Sequence, residues 1–119
     1  MEEYGKVSIW VGNFKGANEF GGYMEEVFDK EGDSTSKFMI DFKIDYIDIQ
    51  FQEVDFNNQK MSLEDKLEGC SYLDTFSDQI PIISEHYNSV VCLYNFKYSG
   101  LIKECSNLKY IGYFNYKED

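Results

Sequence analysis

The sequence predicts an α+β domain: a mostly antiparallel sheet of about four strands with helices packed on one side. Three observations lead there. Stretches with a strict two-residue alternation of apolar and polar side chains occur near both ends and in the middle of the chain. Segments of helical period lie between them. The chain also carries ten Phe, ten Tyr and one Trp in 119 residues, enough bulky apolar surface to fill one core. A chain of this length builds one domain and not two, so residues 1–119 are read as a single unit. A single Pro and the lack of any low-complexity tract leave no candidate for an interdomain linker.

The first strand is read at Lys6–Phe14, where Val7, Ile9 and Val11 alternate with Ser8 and Trp10. Gly16–Lys30 changes to helical period, with Phe20, Tyr23, Met24, Val27 and Phe28 on one stripe. Gly21 and Gly22 weaken this helix by roughly 1 kcal/mol each relative to Ala, so burial of the stripe has to hold it. A polar loop, Glu31–Ser36, leads to one or two helical turns within Lys37–Ile44. Asp45–Val54 returns to alternation, with Ile47, Ile49 and Phe51 facing one way and Asp48, Gln50 and Gln52 the other.

Ser62-Leu63-Glu64-Asp65 has the form of a helix start, a Ser cap followed by carboxylates in the first turn, and Gly69 ends that helix. A second capped helix is read over Ser71–Gln79, stopped by Pro81. The last two strands are Ser89–Phe96 and Leu108–Tyr116, joined through a turn signal at Ser99-Gly100. Alternation puts Val90, Cys92, Tyr94 and Phe96 on one face of the first, and Leu108, Tyr110, Phe114 and Tyr116 on one face of the second.

The charge balance narrows the function. Twenty-two acidic residues face eleven basic ones, all Lys, for a net charge of −11 and a pI of about 4.4. Nucleic-acid binding requires cationic side chains on phosphates, so a nucleic acid is not an expected partner. An anionic membrane surface is disfavoured for the same reason, and no apolar run approaches the ~18 residues of a membrane span. A neutral or cationic protein partner fits better. The acidic N-terminal residues do not resemble a secretory signal, and Cys70, Cys92 and Cys105 are too few and too irregular for a disulfide framework. A cytoplasmic protein with free thiols is the expectation.

Catalytic and cofactor signatures are not evident. The glycines do not space as a phosphate-binding loop. Asp29, Glu31 and Asp33 begin like a calcium loop, but Gly32 falls at the fourth position and Ile40 at the twelfth, where glutamate is required. A zinc set would have to combine His86 with Cys70, Cys92 and Cys105, which contain no close ligand pair. No cofactor, metal or catalytic residue is therefore predicted.

Several segments carry a resemblance. Val7-Ser8-Ile9-Trp10-Val11-Gly12-Asn13-Phe14 is similar to the opening of the immunity protein 22 family of bacterial polymorphic-toxin systems. So are Phe38–Asp45, Phe51-Gln52-Glu53, Leu67–Tyr72 and Leu108–Phe114. Cys70, where a polar residue is expected, and Pro81 depart from the pattern. The resemblance implies an α+β protein that binds a cognate toxin domain, a nuclease among the expected targets, and blocks its cationic active-site region. The alternative is an acidic mimic of nucleic acid that inhibits other basic proteins. Either acts as a monomer or a homodimer. The candidate partner-binding residues are Asp48 and Glu53 with nearby Asp41, Asp45 and Asp55, a second patch of Glu25, Glu26 and Asp29, and Trp10. For each carboxylate the competing account is an ordinary solvated charge, and for Trp10 a place in the core.

Overall fold

A computed structural model describes residues 1–118. Its centre is a five-stranded antiparallel sheet in the order β4-β5-β1-β7-β6. The strands are β1 (Glu2–Gly12), β4 (Gln52–Ser62), β5 (His86–Phe96), β6 (Glu104–Cys105) and β7 (Leu108–Asn115). A separate two-stranded hairpin joins β2 (Val27–Phe28) to β3 (Ser34–Thr35). The helices are short: α1 (Ala17–Met24), α2 (Lys37–Phe42) and α3 (Leu63–Leu67). The α+β class stands, with five strands where about four were expected.

The helices do not lie on one side. Trp10, Val91, Leu93 and Leu108 point from the sheet into a core closed by Phe20 and Tyr23 of α1 and Phe38, Met39 and Phe42 of α2. Val7, Ile9, Val11, Val90 and Cys92 point into a second core closed by Leu63 and Leu67 of α3 and by Phe76. The cause lies in β1 and β5. Both are apolar on both faces, and β5 runs Val90-Val91-Cys92-Leu93-Tyr94 without a polar break. A strand of that kind has to be covered twice.

Two irregularities reassign side chains. Ile9 pairs with Gly112 and Trp10 with Tyr110, so β7 carries an extra residue at Ile111. Gly112 takes a φ of 135°, a conformation that favours glycine. The inserted residue turns the rest of the strand over. Leu108 and Tyr110 therefore join the Trp10 side, while Phe114 and Tyr116 join the other. In β5, Asn95 adopts φ 54°, and Phe96 likewise departs from the face of Val90, Cys92 and Tyr94. Neither single-face assignment made from alternation holds.

Local signals fared unevenly. Ser62 caps α3 as expected, accepting a hydrogen bond from the Asp65 N–H at 3.2 Å. Ser36 caps α2 through the Met39 N–H, and Lys43 in the left-handed region closes it. The helix expected to run to Lys30 stops at Met24, and Val27 and Phe28 stand exposed on the hairpin. Asp45–Val54 is not one strand. Asp48 caps a 3₁₀ turn at Ile49–Phe51, and pairing begins only at Gln52. Ser71–Gln79 forms two 3₁₀ turns, Leu73–Thr75 and Ser77–Gln79.

Trp10 organises the first core. Its ring centroid lies 5.0 Å from Phe38, 5.8 Å from Phe42, 5.3 Å from Tyr98 and 5.0 Å from Tyr110. These edge-on and tilted pairs add to the area buried. The indole N–H has no acceptor among the described residues. That omission costs about 1–3 kcal/mol, which the surrounding apolar contact offsets.

Glycine substitutions distinguish these environments. A Cβ on Gly12 would overlap the Asn107 carbonyl oxygen and meet Leu108. Gly12→Ala should lower unfolding free energy by about 3 kcal/mol. Gly21 lies within α1 with open space around its Cα, so Gly21→Ala should raise it by about 0.5–1 kcal/mol. Urea unfolding followed by Trp10 fluorescence measures both, and the two shifts must have opposite sign.

Candidate partner interface

The acidic residues separate into those that hold the fold and those that face solvent unengaged. Asp29 accepts hydrogen bonds from the N–H groups of Glu31 (3.0 Å) and Asp33 (2.9 Å), forming the β2–β3 turn. Its carboxylate is thus occupied by backbone. Glu26 accepts from the Ser34 hydroxyl at 2.8 Å and ties the same hairpin. Asp41 accepts from the Tyr23 and Ser106 hydroxyls, both at 2.8 Å, joining α2 to α1 and to the β6–β7 turn. Glu25 and Asp45 are exposed and have no such hydrogen bonds among the described residues.

Glu53 and Asp55 lie on β4, one of the two edge strands of the sheet. Glu53 accepts from the Ser71 N–H at 3.0 Å, from the Ser71 hydroxyl, and from the Tyr94 hydroxyl at 3.1 Å. It pins the segment after α3 to the sheet. Asp55 stands 2.8 Å from the Lys66 ammonium, whose side chain is fully buried while that of Asp55 is 62% exposed. Asn57 is the other partner of Lys66. Trp10 is fully buried, so it is a core residue with no surface to offer a partner.

The nine expected residues therefore do not form one cluster. One of them, Asp48, lines a concave site with residues that sequence reasoning missed. A groove of about 270 Å³ runs between the start of β1, the 3₁₀ turn and the end of β5. Glu2, Glu3 and Asp48 supply its carboxylates, and Tyr4 and Phe51 its exposed rings. No Lys lines it. Tyr4 is 81% exposed. Local geometry builds the groove. Pairing of β1 with β5 is interrupted between Glu2 and Val7, and Asn95 in its left-handed conformation accepts the Gly5 N–H at 3.0 Å. Asp48 is fixed by capping the Gln50 N–H at 3.1 Å. The signal was present in the sequence as acidic residues beside an aromatic at Glu2-Glu3-Tyr4.

A larger groove, about 400 Å³, lies between α3 and Ile80–Ile83 and is mostly apolar, with Glu64 and Asp78 at its margin. None of the expected residues lines it. The potential metal ligands are split by the sheet: Cys105 packs on the Trp10 side, and Cys70 and Cys92 on the other.

Several tyrosines carry large electrostatic shifts. Burial, with the Asp41 hydrogen bond second, pushes the Tyr23 hydroxyl far up. Burial, then the neighbouring Cys92, Cys70 and Glu53, does the same to Tyr94. Burial pushes Tyr110 up to about 12. In the unfolded chain these hydroxyls ionise near 10, so above that pH the unfolded state binds fewer protons than the folded one. Stability should hold level up to about pH 10 and fall as pH rises toward 12. Urea midpoints compared with tyrosinate absorbance check this; a stability that stayed level to pH 12 would contradict it.

The Lys66 site gives a second test. Asp55→Ala leaves a buried ammonium with a neutral partner only and should cost about 2–3 kcal/mol. Adding Lys66→Met should restore most of the loss, because no charge is then left buried. Denaturant midpoints of the single and double variants decide it.

One family comparison matches. The family described as immunity protein 22 covers residues 7–117. Neither curated proteins nor solved structures contain a significant match to the chain. With nearly all of the described fold inside the matched region, from the first core residue of β1 to the end of β7, the chain belongs to the immunity protein 22 family, whose general role is to neutralise a toxin protein.

Proposed function

We propose that this protein is the cytoplasmic immunity partner of a cationic toxin domain, a nuclease of a polymorphic-toxin system, and that it blocks the toxin's substrate cleft through the Glu2–Tyr4 groove. The observation that carries the proposal is the groove's chemistry: Glu2, Glu3 and Asp48 around the rings of Tyr4 and Phe51, with no Lys in the lining. A nuclease cleft is built to hold phosphate, so it is cationic. Carboxylates presented from a concave surface occupy the same positions, and exposed rings provide apolar anchors between them. The net charge of −11 raises the rate of encounter. Carboxylates already hydrogen-bonded within the fold still contribute to that long-range field.

The test is co-expression with the toxin domain encoded beside the gene. The wild-type protein should restore growth and co-purify with the toxin as a 1:1 complex. Glu3 and Tyr4 make no side-chain hydrogen bond among the described residues, so their replacement leaves the fold intact. The double variant Glu3→Lys/Tyr4→Ala should weaken binding by roughly thirty-fold or more, the effect of losing about 2 kcal/mol at an interface centre. Glu25→Lys, at an exposed position that does not line the groove, should change it little. Equal binding by the groove variant and the wild type would remove the groove from the interface. Binding to many basic proteins with no preference for the neighbouring toxin would favour the nucleic-acid mimic.

A further inference from the structure

Two of the three thiols meet inside the second core. Cys92 is fully buried in the middle of β5 and packs with Val7, Ile9 and Leu67 in that core. Cys70 follows α3 and is half-buried, with its N–H held by the Leu67 carbonyl at 2.9 Å. Their sulfurs are 3.4 Å apart. A disulfide bond is about 2.05 Å long, so bond formation needs closure of little more than 1 Å. The segment that must move, Gly69–Tyr72, lies outside any α-helix or strand, and the Gly69 Cα has open space around it. Cys105 lies on the opposite side of the sheet and cannot compete.

We propose that Cys70 and Cys92 form a reversible two-cysteine redox site, closing to an intramolecular disulfide when the protein meets a peroxide. Cys70, the half-buried thiol, reacts first. Its thiolate attacks one oxygen of hydrogen peroxide, the O–O bond breaks, Cys70 becomes a sulfenic acid, and the departing hydroxide takes up the proton that the Cys70 thiol released, leaving as water. The Cys92 sulfur then attacks the Cys70 sulfur. The S–S bond forms, the S–O bond breaks, and the Cys92 proton leaves with the departing hydroxide as a second water. Two thiols and one peroxide thus yield one disulfide and two waters. The order follows from burial, since the oxidant reaches Cys70 and not Cys92. The Cys92 thiol is further held in its protonated form by its hydrogen bond with Cys70 and by burial.

The bond would fasten the segment after α3 to a strand in the interior of the sheet. That segment is held by Glu53, which accepts from both the N–H and the hydroxyl of Ser71, and by the Tyr94 hydroxyl, whose one proton is shared between Glu53 and the Ser71 carbonyl, the latter at 2.8 Å. A covalent link at Cys70 reinforces contacts that already exist.

The experiment treats the purified full chain with hydrogen peroxide and maps its peptides without reduction. The expected result is one cross-linked pair containing Cys70 and Cys92, lighter by two hydrogen atoms, with Cys105 still open to alkylation. Dithiothreitol should return both thiols. Cys105→Ser should keep the cross-link and Cys70→Ala should abolish it. The oxidised form should melt roughly 5–10 °C higher, because closing this loop constrains the unfolded chain. Recovery of Cys70 and Cys92 as separately alkylated thiols, or of Cys70 as sulfinic acid with no cross-link, overturns the proposal. So does a disulfide between chains through Cys105.

Discussion

Two neighbouring strands, β1 and β5, present apolar side chains on both faces, and no single layer of helices can cover them. Val7, Ile9 and Val11 leave β1 on one side and Trp10 on the other, while β5 alternates Val90 and Cys92 against Val91 and Leu93. Each unburied aliphatic side chain would forfeit about 1.5–3 kcal/mol. Short elements on each face meet this demand. Helices of five to eight residues are marginal alone, and here each is held by what it covers. The same demand explains the aromatic content. Short helices offer few positions per face, and rings such as Phe38 and Phe42 cover more area from each position than aliphatic side chains do.

The edges of the sheet are treated differently from its middle. β6 is only two residues long, and β4 leaves its pairing with β5 between Phe56 and Met61. A short strand and an interrupted strand both make poor templates for addition of another chain. β4 also carries the polar stitching of the fold: Glu53 to Ser71 and Tyr94, and Asp55 to Lys66. Acidic residues thus serve two purposes. Those on β4, the hairpin and α2 satisfy donors that folding brings together, while those at the start of β1 have no internal partner among the described residues and face outward.

How far the sequence announced this depends on the range of each interaction. The cap at Ser62 was legible because a capping bond spans three residues. The strands at the ends of the chain were legible because alternation is local. The second layer was visible in the unbroken apolar run of β5 but was read as one face because alternation was imposed on it. The bulge at Ile111 was not legible: whether one residue is extra depends on the register against β1, a hundred residues away in the chain. Asp45–Val54 misled because Asp48 offered its carboxylate to the Gln50 N–H, a local competitor to strand pairing. Eight of the nine residues expected at the interface, all but Trp10, rested on charge alone. Charge identifies which residues are acidic, but not which of them the fold has already engaged.

That distinction bears on how an acidic immunity protein attains specificity. Net charge attracts any cationic surface and discriminates weakly among them. Discrimination needs shape and desolvated contact, supplied where carboxylates without internal partners sit beside exposed rings in a concavity. In this fold that combination arises where β1 and β5 lose register between Glu2 and Val7, near the 3₁₀ turn that Asp48 caps. A break in a paired strand leaves backbone and side chains without their usual neighbours, at a place the two cores do not fill. The fold's centre, fixed by Trp10 and the doubly covered strands, then holds those side chains in a set geometry, and Trp10 itself does not line the groove. The side chains at Glu2–Tyr4 and at the 3₁₀ turn can therefore be changed with little effect on either core.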